Sequence, residues 1–329
     1  GKCCGPDVKS ICRESSMSTS SVLSKFGVQD VPDTFKNFIL GRTVIIDGDD
    51  ACYSCSAGAA KLSTAQKRFK TAIYEIMFLT KAQFARVHLT PKGCYKNGRH
   101  LLLGVKPYQG NRKGKPKPAL LEMLRDTAVD VFKDDTDVDV FPQMYYEADD
   151  ACVMDAYTVQ NCIMWSKDKD LNLAPCARYH IETGKELTIT NRFGWIGSRF
   201  TESLKEKADG HGTKFFWLQM LMGDTADNVK GILKYNGKLC GELTALEILR
   251  NVETEDTAAN LVLDAYRAIN QNPVPEAEAL WLLRSPDDSA SGYIWSLGLS
   301  DENRAFFSDC YNRKWKMTQE EYNERTRTE

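Results

Sequence analysis

The sequence lacks any long apolar run, and no stretch approaches the roughly 18 residues that a membrane-spanning helix requires. It also lacks a charged, apolar and small-residue leader, an ATP-binding glycine loop and an internal repeat. The 11 cysteines are scattered and odd in number, which favours reduced, buried thiols over a disulfide framework. These absences argue against a membrane protein and a disulfide scaffold, and they predict a cytoplasmic protein with no membrane partner.

Excess charge of either sign is also lacking, since the formal net charge is −2 and the pI is about 6.2. Any binding of nucleic acid must therefore depend on a local basic segment rather than on a basic surface overall. With 329 residues and 42% apolar content, the chain can bury one large core with helical additions.

What the sequence does contain is a set of carboxylates gathered in short clusters. Eight like charges brought together would repel strongly, or their pKa values would rise, unless something neutralised them. Oxygen-only clusters bind hard divalent cations, and two such ions can activate water and hydrolyse a phosphodiester. The pattern therefore predicts a metal-dependent nuclease that uses Mg²⁺ or Mn²⁺. The predicted metal-binding and catalytic residues are Asp47, Glu147, Asp149, Asp150, Asp168, Asp170, Asp224 and Asp227.

The acidic clusters follow apolar segments that alternate between strand and helix patterns. The run "TVIID" predicts a buried strand that ends at Asp47. Alternating strands and helices predict an α/β fold with a mainly parallel sheet flanked by helices, whose ligand crevice lies beyond the carboxyl ends of the strands. By contrast, 133–139 is typical of a solvated acidic loop, and Asp49 and Asp50 are open to the same interpretation. Further strands are expected at 84–90, 137–143, 161–166 and 178–183, and helices at about 61–83, 119–132 and 148–160.

Three motifs, "EADD", "KDKDLNL" and "GDTADNVKGI", follow the strand "VIIDGDD" in this order. Over about residues 40–250 the chain thereby resembles the 5′-nuclease family, which comprises flap endonucleases and 5′–3′ exonuclease domains, and most of all small bacteriophage exonucleases. The resemblance implies a PIN-like nuclease core with a helical arch and a helix–three-turn–helix element. It also implies two metal ions, one held by the carboxylates up to Asp150 and the other by those from Asp168 onward.

The resemblance divides the chain into four regions. Residues 1–35 would form an extension and linker, and 36–213 the nuclease core including an arch at 91–118. Residues 214–250 would form the helix–three-turn–helix element, and 251–329 a C-terminal helical region.

The proposed arch, "PKGCYKNGRHLLLGVKPYQGNRKGKPKP", has eight Lys or Arg residues and no acidic residue. Cations interspersed with aromatic rings are typical of a surface that contacts phosphates and stacks on bases, although a disordered solubilising loop is the alternative. In the second element, a glycine-containing loop before a helix can present N–H groups to a phosphate, and the family holds a K⁺ ion there. The predicted DNA contacts are Lys106, Tyr108, Arg112, Lys113, Lys115, Lys117, Lys230 and Gly241.

Two positions depart from the family pattern: Thr90 stands where an Asp is usual, and Gln109 where a Lys is usual. If the arch becomes helical on DNA, Lys106 and Lys113 would lie on the same face as Gln109 and could supply the missing charge. The departures keep two alternatives open, a catalytically weak DNA-junction binding protein and a PIN-type ribonuclease.

The function predicted from the sequence is a monomeric, structure-specific 5′–3′ exonuclease or flap endonuclease. Its expected partners are DNA with a 5′ single-stranded end, a flap or a nick, and also an RNA–DNA hybrid. It would act in the host cytoplasm if it is encoded by a phage.

Overall fold

The computed structural model describes residues 38–188, 191–201 and 203–328, so the predicted extension at 1–35 lies outside the described residues. Eight strands follow one another along the described chain. They are β1 (Ile39–Asp47), β2 (Ala82–Leu89), β3 (Val138–Pro142), β4 (Cys162–Trp165), β5 (Ala177–His180), β6 (Lys185–Leu187), β7 (Trp195–Phe200) and β8 (Glu206–His211).

Helices separate the strands in the first half of the chain and dominate the second half. They are α1 (Gly48–Ser56), α2 (Leu62–Thr80), α3 (Leu121–Val131), α4 (Ala148–Thr158), α5 (Thr213–Met222), α6 (Glu242–Leu249), α7 (Glu255–Ala268), α8 (Val274–Leu280), α9 (Ala290–Trp295), α10 (Asp301–Asn312) and α11 (Gln319–Thr328). Within the described ranges, none of these helices is both long enough and apolar enough to cross a bilayer.

The first six strands form one sheet in the order β3–β2–β1–β4–β5–β6, and β7 pairs with β8 in a separate antiparallel hairpin. In the larger sheet only the β5–β6 pairing is antiparallel. The predicted α/β class with a mainly parallel sheet flanked by helices is therefore confirmed.

Strand β1 is buried on both faces because it lies in the middle of the sheet. Successive side chains of a strand point to opposite faces. Accordingly Ile45 packs into the core that contains α5 and the C-terminal helices, while Val44 and Ile46 pack into the core formed by α2 and α3. An almost continuous run of β-branched residues is what such a doubly covered parallel strand requires.

Helix α1 was not predicted, because "DGDD" has the composition of a turn. In the structure Asp47 is its N-cap, and the Oδ1 of Asp47 accepts a hydrogen bond of 3.0 Å from the N–H of Asp49. An aspartate at this position satisfies an N–H group that has no partner within the helix. The chain therefore turns into a helix immediately after the central strand.

The basic segment 91–118 is not α-helical, so the structure shows no helical arch at this place. It contains two short 3₁₀ helices, Lys96–Leu101 and Gly110–Arg112. Prolines and glycines disfavour a longer helix, and Gln109 has a left-handed backbone with φ of 52°. The segment is anchored to the C-terminal region, since Leu103 N–H donates to the carbonyl of Trp315 at 2.9 Å.

The predicted pair of helices around a glycine-containing loop is present as α5 and α6. The loop between them, 223–241, contains isolated antiparallel bridges that join Asp224 with Val229 and Tyr235 with Lys238. Helix α5 is almost wholly buried because it lies between the sheet and the C-terminal helices. The acidic residues that follow α5 are thereby held against the sheet.

Candidate active site

The topology brings separate acidic motifs to one edge of the sheet. Strands β1 and β4 are parallel neighbours, and the sheet grows outward from them in both directions, so the crevice at their carboxyl ends is a topological switch point. Asp47 ends β1, and Asp168 follows β4 after two residues. Asp149 lies in the first turn of α4. Residues far apart in sequence therefore share one rim.

Asp47, Asp149 and Asp168 form one part of the cluster. Burial, together with the charges of Asp49 and Asp168, raises the pKa of Asp47 from 3.8 to about 8. Burial and the charges of Asp47 and Asp168 likewise raise the pKa of Asp149 well above its ordinary value. Since burial and like charges disfavour the ionised forms of Asp47 and Asp149, a cation would stabilise this part of the site.

Asp170, Asp224 and Asp227 form the second part, in which one potential ligand atom from each lies within 4.8 Å of the others. The Oδ2 of Asp224 is buried and has no hydrogen-bond partner among the described residues. The Lys169 ammonium lies 3.0 Å from Asp224 and 3.3 Å from Asp170. A buried carboxylate oxygen without a donor, beside two further carboxylates, fits the oxygen coordination that Mg²⁺ or Mn²⁺ prefers.

Asp150 was predicted to bind a metal ion, but in the structure its carboxylate pairs with Arg99. Its two oxygens accept hydrogen bonds of 2.6 and 2.7 Å from the guanidinium of Arg99, and its Oδ1 also accepts from Leu283 N–H. Asp150 and Arg99 are 0% and 2% exposed. A buried carboxylate must be paired, and here the pairing is internal to the fold. The sequence could not indicate this, because Arg99 looked like one more cation of the basic segment.

Glu147 lies between the acidic cluster and Arg99. Its Oε2 accepts hydrogen bonds from Arg99 at 3.0 Å and from the hydroxyl of Tyr108 at 2.7 Å. Burial alone would raise the pKa of Glu147, but Arg99 and Lys96 hold that pKa below its ordinary value. Glu147 is therefore an ionised carboxylate with several donors, unlike Asp149.

The basic segment closes over the cluster through Asp227. Arg112 donates to Asp227 Oδ1 at 2.6 Å, and the amide of Gln109 donates to the same oxygen at 2.9 Å. Gln109 Nε2 also lies 3.2 Å from Glu147 Oε1. The side chain of Gln109 thus joins Glu147 and Asp227, which belong to two different acidic motifs.

In the structure the ammonium of Lys96 lies beside Gln109. Lys96 Nζ lies 2.5 Å from Gln109 Oε1 and 3.3 Å from Glu147 Oε1. Because Gln109 has a left-handed backbone, positions three before and four after it do not share a helix face with it. A positive charge is therefore present beside Gln109, although this sequence lacks the usual Lys at position 109.

Asp49 is a site residue that the sequence left open. The carboxylate of Asp49 accepts a 3.0 Å hydrogen bond from Thr90 N–H and pairs with Arg125 at 3.0 Å. Burial raises the pKa of Asp49, the Arg125 charge opposes that rise, and Glu147 adds to it. Asp49 therefore places a carboxylate beside Thr90, where the family usually has its own Asp. The missing Asp was the signal that could have pointed to a substitute nearby.

The remaining predicted DNA contacts divide into exposed and enclosed positions. Lys230 is half-buried and its ammonium approaches the carbonyl of Ile232 at 3.5 Å. Gly241 is the N-cap of α6, but the carboxylate of Glu242 at that helix start disfavours an anion there. Lys106, Arg112, Lys113, Lys115 and Lys117 are exposed, as is Lys92 in the same segment.

No family model and no curated protein matches this chain. Among solved structures, it is similar to the D15 protein of bacteriophage T5 co-crystallised with metal ions, at 16% identity and a TM-score of 0.48, covering 82% of this chain and 98% of that one. It is also similar to a complex of the T5 D15 flap endonuclease with DNA and metal ions, at 16% identity and a TM-score of 0.45, with the same coverage.

Proposed function

We propose that this chain is a metal-dependent 5′-nuclease that hydrolyses phosphodiesters of DNA near a 5′ single-stranded end, flap or nick. One observation carries the proposal: carboxylates from four separate segments converge at the switch point of the sheet, where burial and neighbouring carboxylates raise the pKa values of Asp47, Asp149 and Asp170. In the network of Arg99, by contrast, the guanidinium pairs with both oxygens of Asp150.

Two divalent ions would share the cluster. Asp47, Asp49, Asp149 and Asp168 would hold one, and Asp170, Asp224 and Asp227 the other, with Glu147 between them. When bound, Mg²⁺ or Mn²⁺ supplies positive charge that stabilises the phosphate oxygens and lowers the pKa of a water molecule. No side-chain nucleophile is required.

The protein's own cations would position the substrate. Arg112 and Tyr108 hold Asp227 and Glu147 through hydrogen bonds, and both side chains could donate instead to a phosphate that enters the cleft. Lys113, Lys115 and Lys117 extend into solvent from the same segment and would attract the strand. Lys106 would act in the same way at the other end of the exposed stretch.

The K⁺ ion implied by the resemblance would be held by carbonyl groups of the 223–241 loop. Part of that backbone is already used, because the carbonyl of Gly231 accepts a 3.0 Å hydrogen bond from Gln271. The carbonyl of Ile232 lies 3.5 Å from the ammonium of Lys230. These two carbonyls are poor candidates, so a K⁺ ion would depend on the others.

A second candidate function is binding of DNA junctions with weak cleavage. It is favoured by the position of the basic segment over the cluster. Gln109 and Arg112 both donate to the Oδ1 of Asp227, an oxygen that an ion would need. The test is to incubate the protein with labelled 5′-flap, nicked and single-stranded DNA, and with RNA–DNA hybrid, in Mg²⁺ or in chelator. The nuclease proposal expects Mg²⁺-dependent products that release the 5′ strand, whereas binding without turnover would support the second candidate. Preferential cleavage of single-stranded RNA would indicate the PIN-type ribonuclease.

A further inference from the structure

A cavity of about 360 Å³ lies beside the acidic cluster. One wall consists of Ser166, Lys167 and Lys169, which flank Asp168 in sequence, and the opposite wall is the β7–β8 hairpin. Its volume is at the lower end of the range for small-ligand sites. A strand whose phosphate lies at the acidic cluster could therefore place a neighbouring unit in this cavity.

The hairpin turns one distinct face toward the cavity. In its antiparallel register Trp195 lies opposite His211, Gly197 opposite Asp209, and Arg199 opposite Lys207. Because side chains alternate along a strand, Trp195 and Arg199 lie on the same face, and Phe200 lies on the other. The indole of Trp195 remains 52% exposed. A large aromatic surface without a protein ring over it is an available stacking platform.

The floor of the cavity contains polar groups that lack partners. Arg178 donates through one terminal nitrogen to the carbonyls of Ser166 and Asp168, at 2.9 and 3.2 Å, while its other terminal nitrogen is buried without a hydrogen-bond acceptor. His211 is only 6% exposed, and neither of its ring nitrogens has a partner among the described residues. Buried polar groups are normally satisfied, so these groups are available to hydrogen-bond a ligand in the cavity.

The charge of the cavity favours an anion. Its lining contains the cations Lys167, Lys169, Arg178 and Arg199 and the carboxylates Glu182 and Asp209, which gives +4 and −2, a net charge of +2. Arg199 is held only loosely by Asp209, at 3.9 Å, and is half-exposed. A planar guanidinium fits a phosphate through two parallel hydrogen bonds.

We propose that this cavity is a subsite for one nucleotide of the single strand next to the cleavage position, with its base stacked on Trp195 and its phosphate held by Arg178 and Arg199. The proposal rests on the nuclease function proposed above and deepens it, because it identifies a place for an unpaired nucleotide. Stacking on an aromatic ring tolerates any base, so the subsite would select for single-stranded character rather than sequence.

The test places 2-aminopurine at successive positions of a 5′-flap strand and measures its fluorescence on binding in chelator, where no cleavage can occur. Stacking on an indole should quench one position most strongly. Trp195→Ala should abolish that quenching and raise Kd about ten-fold, which corresponds to ~1.4 kcal/mol. Trp195→Phe should retain most of the binding, because a phenyl ring still stacks. Arg199→Gln should raise Kd and make it less dependent on salt.

Phe200→Ala is the matched control, since Phe200 is an exposed aromatic residue on the same strand but on the opposite face. It should leave both quenching and Kd unchanged. If Trp195→Ala binds and quenches as the wild type does, or if Phe200→Ala has the same effect as Trp195→Ala, the subsite is wrong. Binding of a free deoxynucleoside monophosphate should be measured with the wild type and with the same variants, because the cavity could instead accept the released product. If Trp195→Ala weakens binding of the mononucleotide but not of the flap strand, a role for the intact strand is refuted. A wild-type protein that neither binds nor cleaves any of the DNA substrates would refute the nuclease function itself.

Discussion

Two neighbouring regions of this molecule differ in how their buried carboxylates are compensated. Around Arg99, buried carboxylates are paired with a guanidinium and with backbone N–H groups, so every charge has its partner within the fold. In the acidic cluster, burial and like charges raise the pKa values of Asp47, Asp149 and Asp170. The first region stabilises the fold, whereas the second is held in place at a cost in stability.

The difference separates two adjacent residues of one motif. Asp149 faces the cluster and Asp150 faces Arg99, because successive residues of a helix point in different directions. A motif therefore identifies a site without assigning the same role to each of its carboxylates. Experiments that distinguish these roles test the comparison directly.

The largest effect is expected when a carboxylate of the cluster is neutralised. Asp149→Asn should reduce Mg²⁺-dependent cleavage by on the order of ten-thousand-fold, or about 5 kcal/mol, because ion binding is lost. DNA binding in chelator should be unchanged or tighter, since one repulsive charge is removed. Single-turnover cleavage and fluorescence anisotropy measure the two quantities. Asp134→Asn, in the exposed acidic loop, is the control and should have no effect.

At Arg99 the expected effect is on the stability of the fold. Arg99→Met should lower the free energy of unfolding by about 3–5 kcal/mol, because it leaves Asp150 and Glu147 buried without their cation. Urea denaturation measures this change, and adding Asp150→Leu to Arg99→Met should restore part of the loss. Arg267→Met, which removes an exposed ion pair with Asp264, should cost less than about 1 kcal/mol. Equal losses at Arg99 and Arg267 would contradict the contrast between the regions.

The dependence of stability on pH should distinguish the cluster from ordinary surface acids. The pKa of Asp47 is about 8 in the folded protein and 3.8 as the ordinary value. Between these values the folded state binds more protons than the unfolded state, so the stability that Asp47 contributes is complete below 3.8 and is lost as pH rises through about 8. In chelator, Asp47→Asn should therefore become more stable relative to wild type from pH 5 to pH 8, by at most about 1.4 kcal/mol per pH unit. Parallel unfolding curves of the two proteins across this range would contradict the raised pKa.

The smallest effect on the protein itself is expected for the exposed lysines of the basic segment. Changing Lys113, Lys115 and Lys117 together to Gln should reduce the salt dependence of DNA binding by about two to three counterions. The free energy of unfolding should change by less than about 0.5 kcal/mol, since these side chains are exposed. Lys61, Lys67 and Lys133, changed together to Gln, are exposed controls elsewhere on the surface. An identical salt slope for the two triple variants would make 91–118 a solubilising loop.

The sequence predicted the parts of the fold that depend on local pattern. The β-branched run before Asp47 specified the central strand, and the order of the acidic motifs placed them on one rim of a parallel sheet. The pairing of Asp150 with Arg99 could not be predicted, because it joins residues 51 positions apart through side-chain geometry alone. The substitute carboxylate Asp49 depends on a hydrogen bond to Thr90 across two elements, and propensities do not report such contacts.

The anchoring of the basic segment has a consequence for the order in which the chain is completed during synthesis. Three residues of the segment bind partners in the C-terminal region. The carbonyl of Leu101 accepts from Met317 N–H, Arg99 donates to the carbonyl of Trp281, and Val105 N–H donates to Glu276. A nascent chain that has emerged only to residue 250 therefore has all of its acidic motifs and the contacts of Gln109 and Arg112 with Asp227, but it lacks the partners of the segment that lie further along the chain. Residues up to Met317 must be present before these remaining contacts can form. Limited proteolysis of stalled chains tests this order. Chains that have emerged only to residue 275 should be cut readily within the segment, whereas chains that have emerged beyond residue 317 should resist cutting at 101–105.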